Sequence, residues 1–392
     1  MVIPKNIWLL IDKLHQNGFE AYLVGGCIRD LVLGKEPEDW DICTSATIDE
    51  IKDCFKGFKV VNTGIKHGTL TVIHGEKLIE ITAFKSLRED LSRRDFTINS
   101  LAYSKQTGLI DYFGGLEDIK RGIIRAVGDA RKRFLEDPLR ILRGVRFSAQ
   151  LGFKIDEITE REMLKRKGLL QNVSIERITS EFNKILCQGK RTKDALNKYS
   201  EIIFEVIPEA KQMDIDDWNN TIKAICLIGD DIILNLTLFF HCLPSQKIME
   251  RMCYDKKTIK AVKTLIEYFD YKLETDRISI KRLLNKIGVE NFRRLLKIKI
   301  AVMKSENLES ANERLRTIIK TQELLEKIIS SKECYSLRDL AINGDDLLSI
   351  GFKEGKMIGI VLNALLNKVI DEEVDNDKTQ LIEAAKSYHI FL

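Results

Sequence analysis

The spacing of apolar residues changes near residue 131, and that change limits the fold more than any other feature of the chain. Before it, short β-type runs at 21–24, 41–43, 70–73 and 79–83 read as strands, broken by glycines and charged turns. Among them, 7–16 and 47–55 carry helical spacing. Beyond Arg131 apolar residues recur at three and four, and little reads as strand. Only five prolines interrupt the 392 residues. The expectation is an α+β first part followed by an all-α remainder.

Charge follows the same division. The formal net charge is +4, but residues 131–200 hold 17 Lys and Arg against 9 Asp and Glu, leaving −4 for the rest. A polyanion-binding surface and a well-solvated helical face fit that surplus equally. The eight cysteines are scattered without a C-x-x-C pair, and no leader-like segment opens the chain. The apolar run IILNLTLFF (232–240) is too short to span a bilayer. A reduced, cytoplasmic protein without membrane association is expected. The five histidines are dispersed, with no His-Asp pair of the kind a metal-dependent hydrolase uses.

The first chemistry-bearing stretch is LVGGCIRDLVLGKEPEDWDICT (23–44). Gly25 and Gly26 end a strand, and 27–33 reads as the following helix. Without Cβ atoms the backbone can approach a phosphate, and a helix start offers free N–H groups. Arg29, in the first helical turn, is placed to add charge-assisted contacts. Downstream, Asp39 and Asp41 flank Trp40; in a strand both project from one face. Paired carboxylates repel unless a cation lies between them. A solvated turn-to-strand pair and a divalent metal site are the two readings, and the metal reading joins naturally to a phosphate cradle.

Phosphoryl or nucleotidyl transfer by two metals usually needs a third carboxylate from a neighbouring strand. Glu80 in IEIT offers one, or is a solvent-facing strand glutamate. RRDFTINSLAY (93–103) starts with two arginines able to brace a triphosphate; by itself it reads as an exposed start to a buried helix. EDPLRILRGVRF (136–147) reads as a helix with Pro138 in its first turn. On one helix, Asp137 and Arg140 lie side by side. A carboxylate accepts and a guanidinium donates, which matches the amino group and ring-nitrogen acceptor of cytosine or adenine. Uracil and guanine reverse both contacts, at about 1–3 kcal/mol per unmet group. A helix cap and a surface ion pair are the competing readings for Asp137 and Arg140. Arg143 shares their face, whereas Arg146 turns toward the apolar edge.

Together these segments resemble the class II tRNA nucleotidyltransferases, the bacterial-type CCA-adding family of the polymerase-β-like superfamily. The resemblance is carried by LVGGCIRD with DWD, RRDFTINSLAY, DYFGG, EDPLRILRGVRF and SIERITSEF in order, and more weakly by DLAINGDDLLSIGFKEGKMIG. It spans about half the chain. It implies a catalytic head (1–130), a nucleotide-selecting neck (131–200), a helical body (201–310) and a tRNA-binding tail (311–392). It implies Mg2+ on Asp39 and Asp41, with Glu80 as the further catalytic carboxylate. Gly25, Gly26, Arg29 and Arg94 would contact the nucleotide. Asp137 and Arg140 would select CTP or ATP, with Arg143 and Arg146 in the same pocket. Arg177 and Glu181 would brace the neck helix. Asp111, Gly114 and Gly115 would form a hinge, with Tyr112 where the family commonly has proline. Gly351, Gly355 and Gly359 suit either tRNA phosphates or helix–helix turns.

One departure narrows the expected activity. CCA-adding relatives carry a long flexible loop before the RRD segment, whereas here only FKSLREDLS (84–92) intervenes. The resemblance is therefore closest to the CC-adding subgroup: template-independent addition of two cytidines to a tRNA 3′ end from CTP, with a separate A-adding enzyme completing the end. Full CCA addition using CTP and ATP is the alternative. Poly(A) polymerase, a non-catalytic RNA-binding protein and a small-molecule nucleotidyltransferase stand further off.

Overall fold

The computed structural model describes residues 2–64, 68–75, 77–305 and 311–388. The first part is a seven-stranded mixed sheet in the order β3-β4-β5-β2-β1-β6-β7. Its strands are β1 (Ala21–Val24), β2 (Trp40–Thr44), β3 (Lys59–Gly64), β4 (Thr69–His74), β5 (Lys77–Ala83), β6 (Leu101–Ser104) and β7 (Gly108–Asp111). Only β2 and β5 run parallel. The β-type runs at 21–24, 41–43, 70–73 and 79–83 all lie within strands.

Residues opposed across the ladders share a face. One face carries Leu23, Trp40, Ile42, Leu70, Val72, Ile79 and Ile81, each at most 2% exposed. Helices α1 (Lys5–Gln16) and α3 (Ile48–Cys54) pack on the sheet, α1 through Ile7, Leu10, Ile11 and Leu14. Thr47 starts α3 with a reciprocal side-chain cap to Glu50. The other face carries Val24, Asp41 and Glu80 in register. On it α4 (Leu87–Ser92) buries Leu87 and Leu91 against Val24, Cys43 and Ala102. The connection from β1 to β2 carries α2 (Gly26–Val32).

RRDFTINSLAY departs from its helical reading. Thr97–Asn99 is a single 3-10 turn, and Leu101–Ser104 forms β6 beside β1. Tertiary pairing decides here, because four apolar residues fit either element.

Helices follow: α5 (Gly115–Arg121), α6 (Ala130–Glu136), α7 (Leu139–Leu151), α8 (Glu157–Arg166), α9 (Ile175–Leu186), α10 (Thr192–Lys198) and α11 (Ser200–Val206). Two-residue strands β8 (Ile123–Ile124) and β9 (Lys154–Ile155) pair among them. The expected single helix over 136–147 is instead two. Asp137 is extended at φ −147°, α6 stops at Glu136, and α7 starts at Leu139 after Pro138. A residue before proline is pushed out of helical geometry, so Asp137 becomes the joint between helices.

By contact the chain divides into two compact units, Met1–Ile185 with Asp194–Pro208, and Leu186–Lys193 with Glu209–Leu392. The second is helical: α12 (Ile215–Ile228), α13 (Ile232–Phe240), α14 (Ser245–Arg251), α15 (Lys256–Glu267), α16 (Arg277–Ser305), α17 (Ala311–Ser330), α18 (Gly344–Ser349), α19 (Lys356–Ile370) and α20 (Lys378–Lys386). α16 breaks at Gly288, where φ is +76°. The apolar run 232–240 is α13, its residues 234–240 buried in this unit. Among the described residues no helix is long and apolar enough to cross a membrane. All eight cysteines are free thiols.

Candidate active site

The glycine turn comes first. Gly25 sits at φ +82° and ψ −136°, a conformation that side chains disfavour. A Cβ there would lie 2.3 Å from Arg94 Nη1 and 3.5 Å from Asp41 Oδ2. Gly25 is therefore the point over which an arginine and a carboxylate converge. Arg94 is further held by Asp90 at 3.4 Å and by the Asn99 carbonyl at 3.5 Å. Its Nε is buried without a partner.

Asp41 is half-buried in β2, opposite Val24 on one side and Glu80 on the other. Asp39 lies one residue before the strand and is exposed. Burial is the main cause that raises the Asp41 pKa to about 6; Glu80 and Asp39 push the same way, against Arg94 and Arg143. An unneutralised carboxylate beside two others is the donor chemistry a hard divalent cation takes. Among the described residues no three His, Cys, Asp or Glu side chains converge as a ligand set. The register thus brings Glu80 beside Asp41, but Glu80 is exposed and completes no ready triad. One or two carboxylates suffice where substrate phosphates and water supply the remaining oxygens. Asp39 and Asp41 fit that role.

The expected side-by-side placement of Asp137 and Arg140 on one helix face is not what the fold provides. Asp137 precedes α7 and accepts from the Leu139 N–H at 3.2 Å, so it does cap the helix. The Arg177 fork of α9 also grips it, at 2.9 and 3.3 Å. Those three bonds leave about one of a carboxylate's four acceptor sites. Arg140 binds Glu136 at 3.1 Å and the carbonyls of Arg133 and Arg93 at 3.1 and 2.5 Å. The two side chains are thus fixed by different partners, and no ion pair joins them.

Arg29, Arg143 and Arg146 are further inside than expected. Arg29 is 4% exposed and bound to Asp30 and to Asn99 Oδ1. Its charge is balanced within the fold rather than held out to a phosphate. Arg143 binds Asp95 through Nε and Nη2 at 2.8 and 2.7 Å, and Glu181 at 3.5 Å. Arg146 binds Glu181 and Gln150 at 2.5 and 2.9 Å. All three guanidiniums lie within 5.3 Å of the Phe147 ring centroid. Gly26 is in van der Waals reach of this group: its Cβ would be 3.7 Å from Arg29 Nη2. The expected Arg177–Glu181 pair is replaced by Arg177–Asp137 and Glu181–Arg143–Arg146.

Sequence reasoning missed Asp90, Asp95, Asn99 and Phe147. The signal was present in RRDFTIN, where a carboxylate and an amide four apart suit one tight turn, but their distant partners carry no local mark. In the segment expected to form a hinge, Asp111 accepts from the N–H groups of Phe113, Gly115 and Leu116. A Cβ at Gly115 would be 2.2 Å from the Thr97 carbonyl, so only glycine fits.

A mixed sheet carrying carboxylates beside a glycine turn, with helical remainder, defines a polymerase-β-like nucleotidyltransferase. Comparison with known proteins agrees. Residues 21–87 and 83–125 match the poly A polymerase head domain, and 231–385 match tRNA nucleotidyltransferase domain 2. The CCA-adding enzyme of Lactobacillus delbrueckii subsp. bulgaricus is 34% identical, covering 95% of each chain. That of Ligilactobacillus salivarius is 34% identical over 96% of this chain and 95% of its own. The Bacillus stearothermophilus CCA-adding enzyme in complex with CTP superposes with a TM-score of 0.79 at 28% identity, covering 100% of this chain and 99% of that one. The chain belongs to the bacterial-type CCA-adding enzyme family and is a tRNA nucleotidyltransferase.

Proposed function

We propose that this protein transfers CMP from CTP to the 3′ end of tRNA and stops after two cytidines. The observation that carries the second half of the reading is the junction between β5 and Arg93. Residues 84–92 are taken up by Phe84 and by α4, whose Leu87, Asp90 and Leu91 are at most 8% exposed. Asp90 also grips Arg93 and Arg94. A segment so short and so firmly packed leaves no mobile lever to enlarge the pocket from pyrimidine to adenine. A separate enzyme would then add the terminal A.

In this reading 1–130 is the catalytic head, 131–200 the nucleotide-selecting neck, 201–310 the body and 311–392 the tRNA-binding tail. Asp39 and Asp41 would hold Mg2+, which when bound polarises the α-phosphate and the attacking 3′-hydroxyl. Glu80, exposed beside Asp41 on the same sheet face, adds negative charge that favours the cation. Gly25 leaves room for Arg94 at the phosphates. Asp137 accepts from the base amino group and Arg140 donates to the ring nitrogen. Arg177 and Glu136 hold those two groups in place. Arg29, Arg143 and Arg146 support the pocket from behind through Phe147.

Full CCA addition is the second reading, favoured because relatives matching over 95% of the chain are CCA-adding enzymes. A tRNA lacking CCA, supplied with CTP and then ATP, separates the two. Two cytidines and no adenosine are expected; ready conversion of tRNA-CC to tRNA-CCA overturns the CC-only reading. Asp39→Ala should abolish CMP transfer and Mn2+ binding while tRNA retention on a filter is unchanged. Undiminished turnover removes Asp39 from the site.

A further inference from the structure

Asn99 stands between the two halves of the site. It ends the 3-10 turn Thr97–Asn99 and is 5% exposed. Its Oδ1 accepts from Arg29 Nη1 at 2.7 Å, and its Nδ2 donates to Asp95 Oδ1 at 3.0 Å. A guanidinium only donates and a carboxylate only accepts, so those partners set the orientation of the amide. On one side, Arg29 belongs to α2, directly after the glycine turn. On the other, Asp95 passes the connection to Arg143 of α7 through two bonds. Arg143 meets Glu181, which holds Arg146. The Asn99 carbonyl also accepts from Arg94 at 3.5 Å.

A largely buried chain therefore runs Arg29–Asn99–Asp95–Arg143–Glu181–Arg146, alternating donors and acceptors; its one partly exposed member is Arg143, which meets Glu181 as an ion pair at 3.5 Å. Asn99 is its one uncharged member, and it turns a cation's demand for an acceptor into a donor for an anion. Alanine opens the chain at that point. Aspartate, of the same shape, still serves Arg29 but sets a second carboxylate against Asp95.

We propose that Asn99 is a positioning residue for nucleotide selection: its amide ties the glycine-turn helix α2 to α7, so the phosphate cradle and the base-reading joint at Asp137 keep one spacing. It touches no substrate and acts through Arg29 and Asp95. The inference rests on the proposed reading of Asp137 and Arg140.

The test is steady-state incorporation of CTP and of UTP on a tRNA lacking CCA, for wild type, Asn99→Ala, Asn99→Asp and Asp137→Ala. Melting is followed by circular dichroism. With spacing lost, both Asn99 variants should raise the KM for CTP and lose about tenfold or more in preference for CTP over UTP. The KM for tRNA should not change. A purely structural residue would lower the melting temperature and leave both CTP measures alone, which overturns the proposal. If Asn99→Ala does not fold, Asn99→Asp decides; if neither gives a cooperative melt, the role is structural and the proposal falls. Asp137→Ala keeping its CTP preference overturns the base-reading assignment and this inference with it. Asp137→Ala losing that preference while the Asn99 variants keep theirs overturns this inference alone.

Discussion

Asp95→Asn is the substitution with the most to say about how the site is held. The Asp95 carboxylate is 6% exposed and takes four donors: Phe96 N at 2.8 Å, Asn99 Nδ2 at 3.0 Å, and Arg143 Nε and Nη2 at 2.8 and 2.7 Å. Burial alone would raise its pKa. The Arg143 charge and the bonds from Asn99, Arg143 and Phe96 outweigh it and hold the group at about 2. The unfolded value is about 3.9, so the native state favours the ionised form, by about 2–3 kcal/mol. That stabilisation is complete above about pH 4 and drains away as pH falls toward 2. An asparagine loses the charge opposite Arg143. With its oxygen toward Arg143, its amide N–H faces the N–H groups of Phe96 and Asn99. Because Arg143 is partly exposed and keeps Glu181, the loss stays near the linkage value, about 2–3 kcal/mol. Urea unfolding at pH 7 in a Trp218→Phe background, read by Trp8 and Trp40 emission, should report a loss of that size in the first unit. The gap between variant and parent should narrow below about pH 4. A loss under about 1 kcal/mol at pH 7, or a gap that widens on acidification, refutes the reasoning.

Gly25→Ala sets a Cβ 2.3 Å from Arg94 Nη1 at φ +82°. Backbone strain of about 1–3 kcal/mol should appear as a lower melting temperature, and displacement of Arg94 as a fall in CMP transfer of at least about tenfold. Unchanged turnover removes Arg94 from the phosphate end. Arg177→Ala frees the Asp137 carboxylate from its fork. Both side chains are partly exposed, so stability should shift by less than about 1 kcal/mol, while misincorporation of UTP in single-turnover assays should rise. A variant as selective as the parent shows that Arg177 has no part in base choice.

Local physics explains what was legible beforehand. The strands at 21–24 and 41–43 are short apolar-rich runs bounded by glycines and charged turns, and the Gly25 turn needs a positive φ that glycine supplies. The helix over 47–55 carries its capping box within four residues. The β1–β2 register sets Asp41 beside the Gly25 turn, and the β2–β5 register adds Glu80; neither pairing is marked in the local sequence. The failures share a cause as well. Leu101–Ser104 is too short for its spacing to separate helix from strand. Asp137 was placed on a helix face, although the proline after it drives it out of helical geometry; a closer reading of that dipeptide would have found the joint.

What the chain encodes by itself is the set of local devices: which residues alternate, where glycine frees the backbone, and which carboxylates and guanidiniums the site has to work with. Long-range partner choice belonged to the tertiary structure. Asp137 binds Arg177 rather than Arg140, 40 residues away in sequence, and Arg29 is held by Asn99, 70 residues away. Spacing along an element predicts only neighbours on that element. A buried charge such as Arg29 bonds to whatever the folded core brings within about 3 Å, because leaving it unpaired costs more than any local preference, whereas the partly exposed Asp137–Arg177 pair forms because the fold sets α9 beside the start of α7.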